Sequence, residues 1–229
     1  MVPVAPRRQR AGAWPLAGRS DQVERAASGP SGCGMVYAAA VLPLTFTTLA
    51  IAAAGVVLAW VDPAAALTWL AKEGPVEHAS HVVLAAAALA WARAGRAGDA
   101  RLVTLGMTCF LALVLAEEVD WGAVYGWTAL GERVAAVFGH RNMHNAARGS
   151  SYLLFALPLC AYYLAPGTGR RLGRLAPTTD ERAAFAAIGG LFLLGNMSAA
   201  WERAAQELLE LLLYALLLAT GLRLRRAPG

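Results

Sequence analysis

The chain has 229 residues, 58% of them hydrophobic and only 15% charged, with 20 Lys and Arg against 15 Asp and Glu for a formal charge of +5. Soluble domains average about 45–50% apolar and about 25% charged residues. The composition therefore points toward a bilayer and away from a disordered chain, a secreted disulfide scaffold or an ordinary soluble enzyme.

Residues 1–34 are rich in Arg, Gly, Pro, Ala and Ser and contain no long apolar run, so no cleavable signal peptide fits. They read as a disordered basic tail or as sequence upstream of a true start at Met35. From Met35 on, six apolar runs follow: Val36–Trp60, Val76–Ala92, Leu102–Gly122, Ser150–Ala165, Ala183–Trp201 and Gln206–Leu222. They are Ala- and Leu-rich and continuous rather than alternating, which favours helices over strands. A helix needs about 20 mostly apolar residues to cross a bilayer, so the expected fold is all-α, a six-helix transmembrane bundle over residues 35–229. With both termini cytoplasmic, 15 of the positive residues fall inside and Lys72, Arg133, Arg141, Arg148 and Arg203 outside. The basic balance is thus assigned to topology in a bacterial inner membrane, with the lipid bilayer as partner, and not to nucleic acid. Cys33, Cys109 and Cys160 share no metal or disulfide spacing.

In this topology all four histidines and ten acids lie on the periplasmic side. Three spans are short of uncharged residues there: Val82–Ala92 has 11, Leu102–Ala116 has 15 and Leu211–Leu222 has 12. At about 1.5 Å per residue these cover roughly 16–23 Å of a core about 30 Å thick. Ionisable groups placed below a lipid boundary are costly unless they face a partner or a cavity. Helical spacing gathers them into stripes: Glu73, Glu77 and His81 at i, i+4, i+8, with His78 three residues before His81; Glu117 and Asp120 at i, i+3; His140 and His144 at i, i+4; and Glu207, Glu210 and Tyr214 at i, i+3, i+7. Between the third and fourth spans, Val124–Phe138 reads as an amphipathic surface piece.

Imidazole with carboxylate is the donor set for a transition metal, zinc first and iron or manganese next. The expected ligands are His81, Glu117, His140 and His144, with His78 also within reach. Glu207 and Glu210 support them or hold a second ion. Glu77, Glu118 and Asp120 are the candidate catalytic carboxylates, Glu77 or Glu118 serving as general base. A bound ion would lower the pKa of a coordinated water toward about 7 and so supply a hydroxide nucleophile. The chain has no phosphate-binding glycine loop, dinucleotide fingerprint, H-E-x-x-H helix or G-x-S-x-G elbow.

The boxes Glu117-Glu118-Val119-Asp120-Trp121-Gly122 and Asn142-Met143-His144-Asn145, together with Glu73-Gly74-Pro75-Val76-Glu77, carry a resemblance. The chain resembles a family of uncharacterised bacterial multi-pass membrane proteins with an E-E-[IV]-x-W-G box ending one helix and an N-x-H-N box before the next. The resemblance implies positions and no reaction. A distant similarity to the alkaline ceramidase and adiponectin-receptor superfamily of zinc-dependent membrane hydrolases supplies a chemical precedent by analogy only. Those proteins have seven spans and an H-x-x-x-H pair in the last helix, where this chain has Glu207 and Glu210.

The expected function is a metal-dependent hydrolase of a lipid-like or membrane-embedded substrate. Two alternatives stand beside it: a proton- or ion-coupled transporter, and a non-catalytic assembly subunit.

Overall fold

The computed structural model describes residues 33–70, 72–95, 101–141, 150–195 and 202–226. Side chains are described for all of these except 33–44, 150–152, 154, 170–171, 195 and 202–205. The chain divides into two compact units, Met1–Ala39 and Ala40–Gly229. Of the first, only the helical backbone of 33–39 is described, so the tail expected over residues 1–34 lies almost wholly outside the described residues.

All regular structure among the described residues is helical: α1 (Cys33–Val61), α2 (Pro63–Trp69), α3 (Pro75–Ala94), α4 (Arg101–Glu118), a 3-10 turn (Asp120–Tyr125), α5 (Thr128–Phe138), α6 (Ser150–Tyr163), α7 (Thr168–Leu172), a second 3-10 turn (Gly173–Leu175), α8 (Thr179–Gly195) and α9 (Glu202–Arg226). The ends follow local chemistry. Asp62 caps α2 through its carboxylate to the Ala65 amide at 2.9 Å, and Pro75 opens α3 at a position where its missing N–H costs nothing. Thr178 and Glu181 form a reciprocal capping box at the start of α8, with bonds of 2.8 and 3.2 Å.

The core of the second unit is built on α3. Its buried positions, Glu77, His81, Leu84, Ala87, Trp91 and Ala94, advance by three and four residues along one face. That face packs against α9 on one side and α4 on the other. Leu208, Leu212, Leu216 and Leu217 on α9 and Met107, Leu111 and Val114 on α4 complete the apolar cluster. Burying each such side chain stabilises the fold by about 1.5–3 kcal/mol. Trp91 is fully buried and donates its indole N–H to the Leu217 carbonyl at 2.9 Å. Gly221 permits that approach, because a Cβ there would lie 2.9 Å from the Trp91 ring.

In the last turn of α9, Arg223 forks onto Glu181 with bonds of 2.8 and 2.9 Å. It also donates to the carbonyls of Arg174 and Ala176 at 3.3 and 3.1 Å. The guanidinium thereby ties α9 to α8 and to the chain that leads into it.

Among the described residues, no helix is long and apolar enough to cross a membrane. The six-helix transmembrane bundle, its cytoplasmic termini, the multi-pass topology and the inner-membrane location expected from the sequence are corrected accordingly. Helices do coincide with the apolar runs, but charge enters α3, α4, α8 and α9, and α6 is short. α3 buries Glu77 and His81 in its first half and carries Arg93 in its last turn. The 18 residues of α4 include Arg101, Glu117 and Glu118. α6 has 14 residues, and the 17 of α8 begin with Asp180, Glu181 and Arg182. The 25 residues of α9 hold acids in its first half and Arg223, Arg225 and Arg226 at its end. Of the expected first span, residues 36–44 lie outside the described side chains.

Candidate metal centre

The first turn of α3 sets the first carboxylate. Its N-cap, Gly74, has no side chain to offer the helix amides, and Glu77 turns back instead to accept the Glu73 N–H on Oε2. Glu73 adopts a left-handed conformation, φ 64°, immediately before the helix. An acid at this position also meets the positive end of the helix dipole.

One turn later comes His81, only 3% exposed. Its Nδ1 lies 3.1 Å from the Tyr125 hydroxyl, while Nε2 is 3.8 Å from Glu77 Oε1. The second distance exceeds hydrogen-bond range, and Nε2 is buried without a hydrogen-bond partner. Burial lowers the pKa of His81; Glu77 opposes that shift and His78 adds to it. Near neutral pH the ring is therefore an uncharged imidazole with one lone pair.

Glu118, the last residue of α4, brings the second carboxylate. The Tyr214 hydroxyl of α9 donates to its Oε1 at 3.1 Å. Glu77, His81 and Glu118 each offer one ligand atom, and these atoms lie within 4.8 Å of one another. The group can hold a metal ion.

α9 adds two more acids beside it. Burial, reinforced by the charges of Glu77 and Glu118 and opposed by Lys72, pushes Glu207 up to about 7. Burial pushes Glu210 up to about 8, aided first by Glu118 and opposed by the Gln206 side chain, which donates to Glu210 at 3.0 Å. Burial and the same carboxylates hold Tyr214 well above the usual phenol value, so it remains a donor.

Of the residues singled out from the sequence, Glu77, His81 and Glu118 come together directly, and Glu207 and Glu210 interact electrostatically with that group. Glu117, the preferred carboxylate ligand, is 1% exposed and accepts the Trp121 indole N–H at 2.8 Å. His78 is exposed, its ring centroid 6.1 Å from that of His81. Asp120 lies in a left-handed turn at φ 50°, and His140 is exposed beyond the end of α5. Neither belongs to the three-residue group. His144 falls outside the described residues.

Sequence reasoning missed Tyr125 and gave Tyr214 no role at the site. Tyr214 carried a signal, since it shares a stripe with Glu207 and Glu210. Tyr125 carried none: it follows a turn in which Asp120, Trp121 and Gly122 all take positive φ values (50°, 55° and 96°). That conformation is rare for a bulky residue such as Trp.

No family model, curated protein or solved structure matches the chain.

Proposed function

We propose that the protein is a metal-dependent hydrolase with Glu77, His81 and Glu118 as ligands. One imidazole and two carboxylates suit zinc best, with iron and manganese as the competing ions. The observation that carries this reading is His81 Nε2: a buried nitrogen without a hydrogen-bond partner, 3.8 Å from Glu77 Oε1, on a ring grouped with Glu77 and Glu118. Leaving such an atom unsatisfied is costly. A cation satisfies it and offsets the negative charge that Glu77 and Glu118 bring to the group.

A divalent ion held there supplies an activated water for attack on an ester, amide or phosphoester. Glu210, raised to about 8, is the group suited to carry a proton to a leaving group at neutral pH. Glu207, raised to about 7, is suited to exchange protons in the same range. Tyr125 and Trp127 are exposed on the segment that touches His81, which favours a substrate with an apolar, lipid-like portion.

The test is elemental analysis of the full chain purified without chelators, paired with hydrolysis assays on acyl and phosphoryl esters. About one zinc, iron or manganese per chain is expected, lost together with activity in His81→Ala and Glu118→Gln. A metal-free wild type ends this reading.

A further inference from the structure

The geometry points to Tyr125 as the positioning residue that sets the tautomer of His81, keeping the ring proton on Nδ1 so that Nε2 is left with its lone pair free for an ion held with Glu77 and Glu118. The inference rests on the metal-centre reading above and assigns a duty to a residue outside the ligand set.

A neutral imidazole has one N–H and one lone pair. Here the two nitrogens have different surroundings. Nδ1 faces the Tyr125 hydroxyl at 3.1 Å, whereas Nε2 is buried without a hydrogen-bond partner, Glu77 Oε1 lying 3.8 Å away. A proton on Nε2 would draw Glu77 Oε1 in to form a charge-assisted bond. The carboxylate stays 3.8 Å away, its other oxygen held by the Glu73 amide. A proton on Nδ1 is matched at once by the phenol oxygen. The phenol is half exposed, so its own proton can be given to water. An outer hydrogen bond of this kind orients a ligating histidine and raises its basicity.

The segment carrying Tyr125 is fixed in place rather than loosely laid over the site. The Trp121 indole bonds Glu117 at 2.8 Å, the Gly122 amide bonds the Val119 carbonyl at 2.8 Å, and the Trp127 amide bonds the Gly122 carbonyl at 2.9 Å. These bonds hold three successive residues in the left-handed region and deliver Tyr125 to the imidazole. The burial of Glu117 then has a role: it anchors the turn instead of a metal.

The experiment is nitrogen-15 NMR of the histidine rings in the metal-free full chain, with Zn2+ titrations of the same samples. In the wild type the expected spectrum shows His81 protonated on Nδ1 and bare on Nε2. Tyr125→Phe moves the proton toward Nε2 and weakens Zn2+ binding by about 10–100-fold, while circular dichroism stays unchanged. Trp121→Phe, which releases the turn from Glu117, shifts both readouts in the same direction. A wild-type ring protonated on Nε2 overturns the inference even if zinc binds. So does a Tyr125→Phe protein that keeps the wild-type tautomer and affinity. A wild type that binds no zinc but carries the Nδ1 proton supports the tautomer assignment and sinks the metal reading alone.

Discussion

The Tyr214 hydroxyl donates to Glu118 Oε1 at 3.1 Å, joining α9 to the last residue of α4 across 96 positions of sequence. The bond occupies one carboxylate oxygen and constrains how the side chain presents the other. Tyr214→Phe keeps the ring and removes the donor. The expected result is Zn2+ binding weakened by about 10–100-fold, and a metal-free fold destabilised by about 1–3 kcal/mol. Titration calorimetry and urea unfolding read the two effects separately.

The pH dependence of the metal-free fold has a defined sign. Glu207 and Glu210 rise from an ordinary 4.5 to about 7 and about 8 when folded. Between those limits each binds more protons folded than unfolded, so their contribution is fully present below about pH 4.5 and disappears as pH climbs through 7 and 8. His81, lowered from 6.5 by burial, acts oppositely: its contribution is present above pH 6.5 and is lost as pH falls below it. Thermal unfolding followed from pH 5 to 9 should show the alkaline loss, reduced in Glu210→Gln and reduced again when Zn2+ is added.

Arg223 is 22% exposed at its side chain, and Glu181, its partner, 4%. Arg223→Ala leaves that carboxylate with the Thr178 amide but without its guanidinium partner, and should cost about 1.5–3 kcal/mol of stability. Arg223→Lys should restore little, because an ammonium cannot reproduce the two-pronged bond. Denaturant midpoints test both variants, and metal stoichiometry should be unchanged in each.

Gly221→Ala places a methyl 2.9 Å from the Trp91 ring and 3.0 Å from the Ala90 methyl. The gain in helix propensity, up to about 1 kcal/mol, is outweighed by overpacking of about 1–3 kcal/mol. A net loss of about 1 kcal/mol is expected by urea unfolding. A measured increase in stability would mean that α3 and α9 sit farther apart than described.

The centre was legible where a single helix carried it. Glu77 and His81 lie one turn apart, and the Glu207, Glu210 and Tyr214 stripe gave its own direction. Choosing between Glu117 and Glu118 was beyond spacing arguments, since neighbours on a helix differ by about 100° in heading. Only the packed end of α4 decides which of them meets His81. The link from His81 to Tyr125 spans 44 residues and depends on a left-handed tryptophan, which no propensity selects. The membrane expectation failed for another reason. The apolar stretches of α3, α4, α8 and α9 are cut by Glu, His or Arg, and α6 has only 14 residues, whereas crossing a bilayer requires uninterrupted length within one helix.

α3 places Glu77 and His81 on the same longitudinal stripe as Leu84, Ala87 and Trp91. An insertion or deletion of one residue between His81 and Leu84 would swing the two halves about 100° out of phase. The acid and imidazole or the apolar contacts would then point into solvent. The Glu77–His81 end of this helix cannot be re-indexed without unmaking the protein's interior, so variation there is confined to substitution at fixed length.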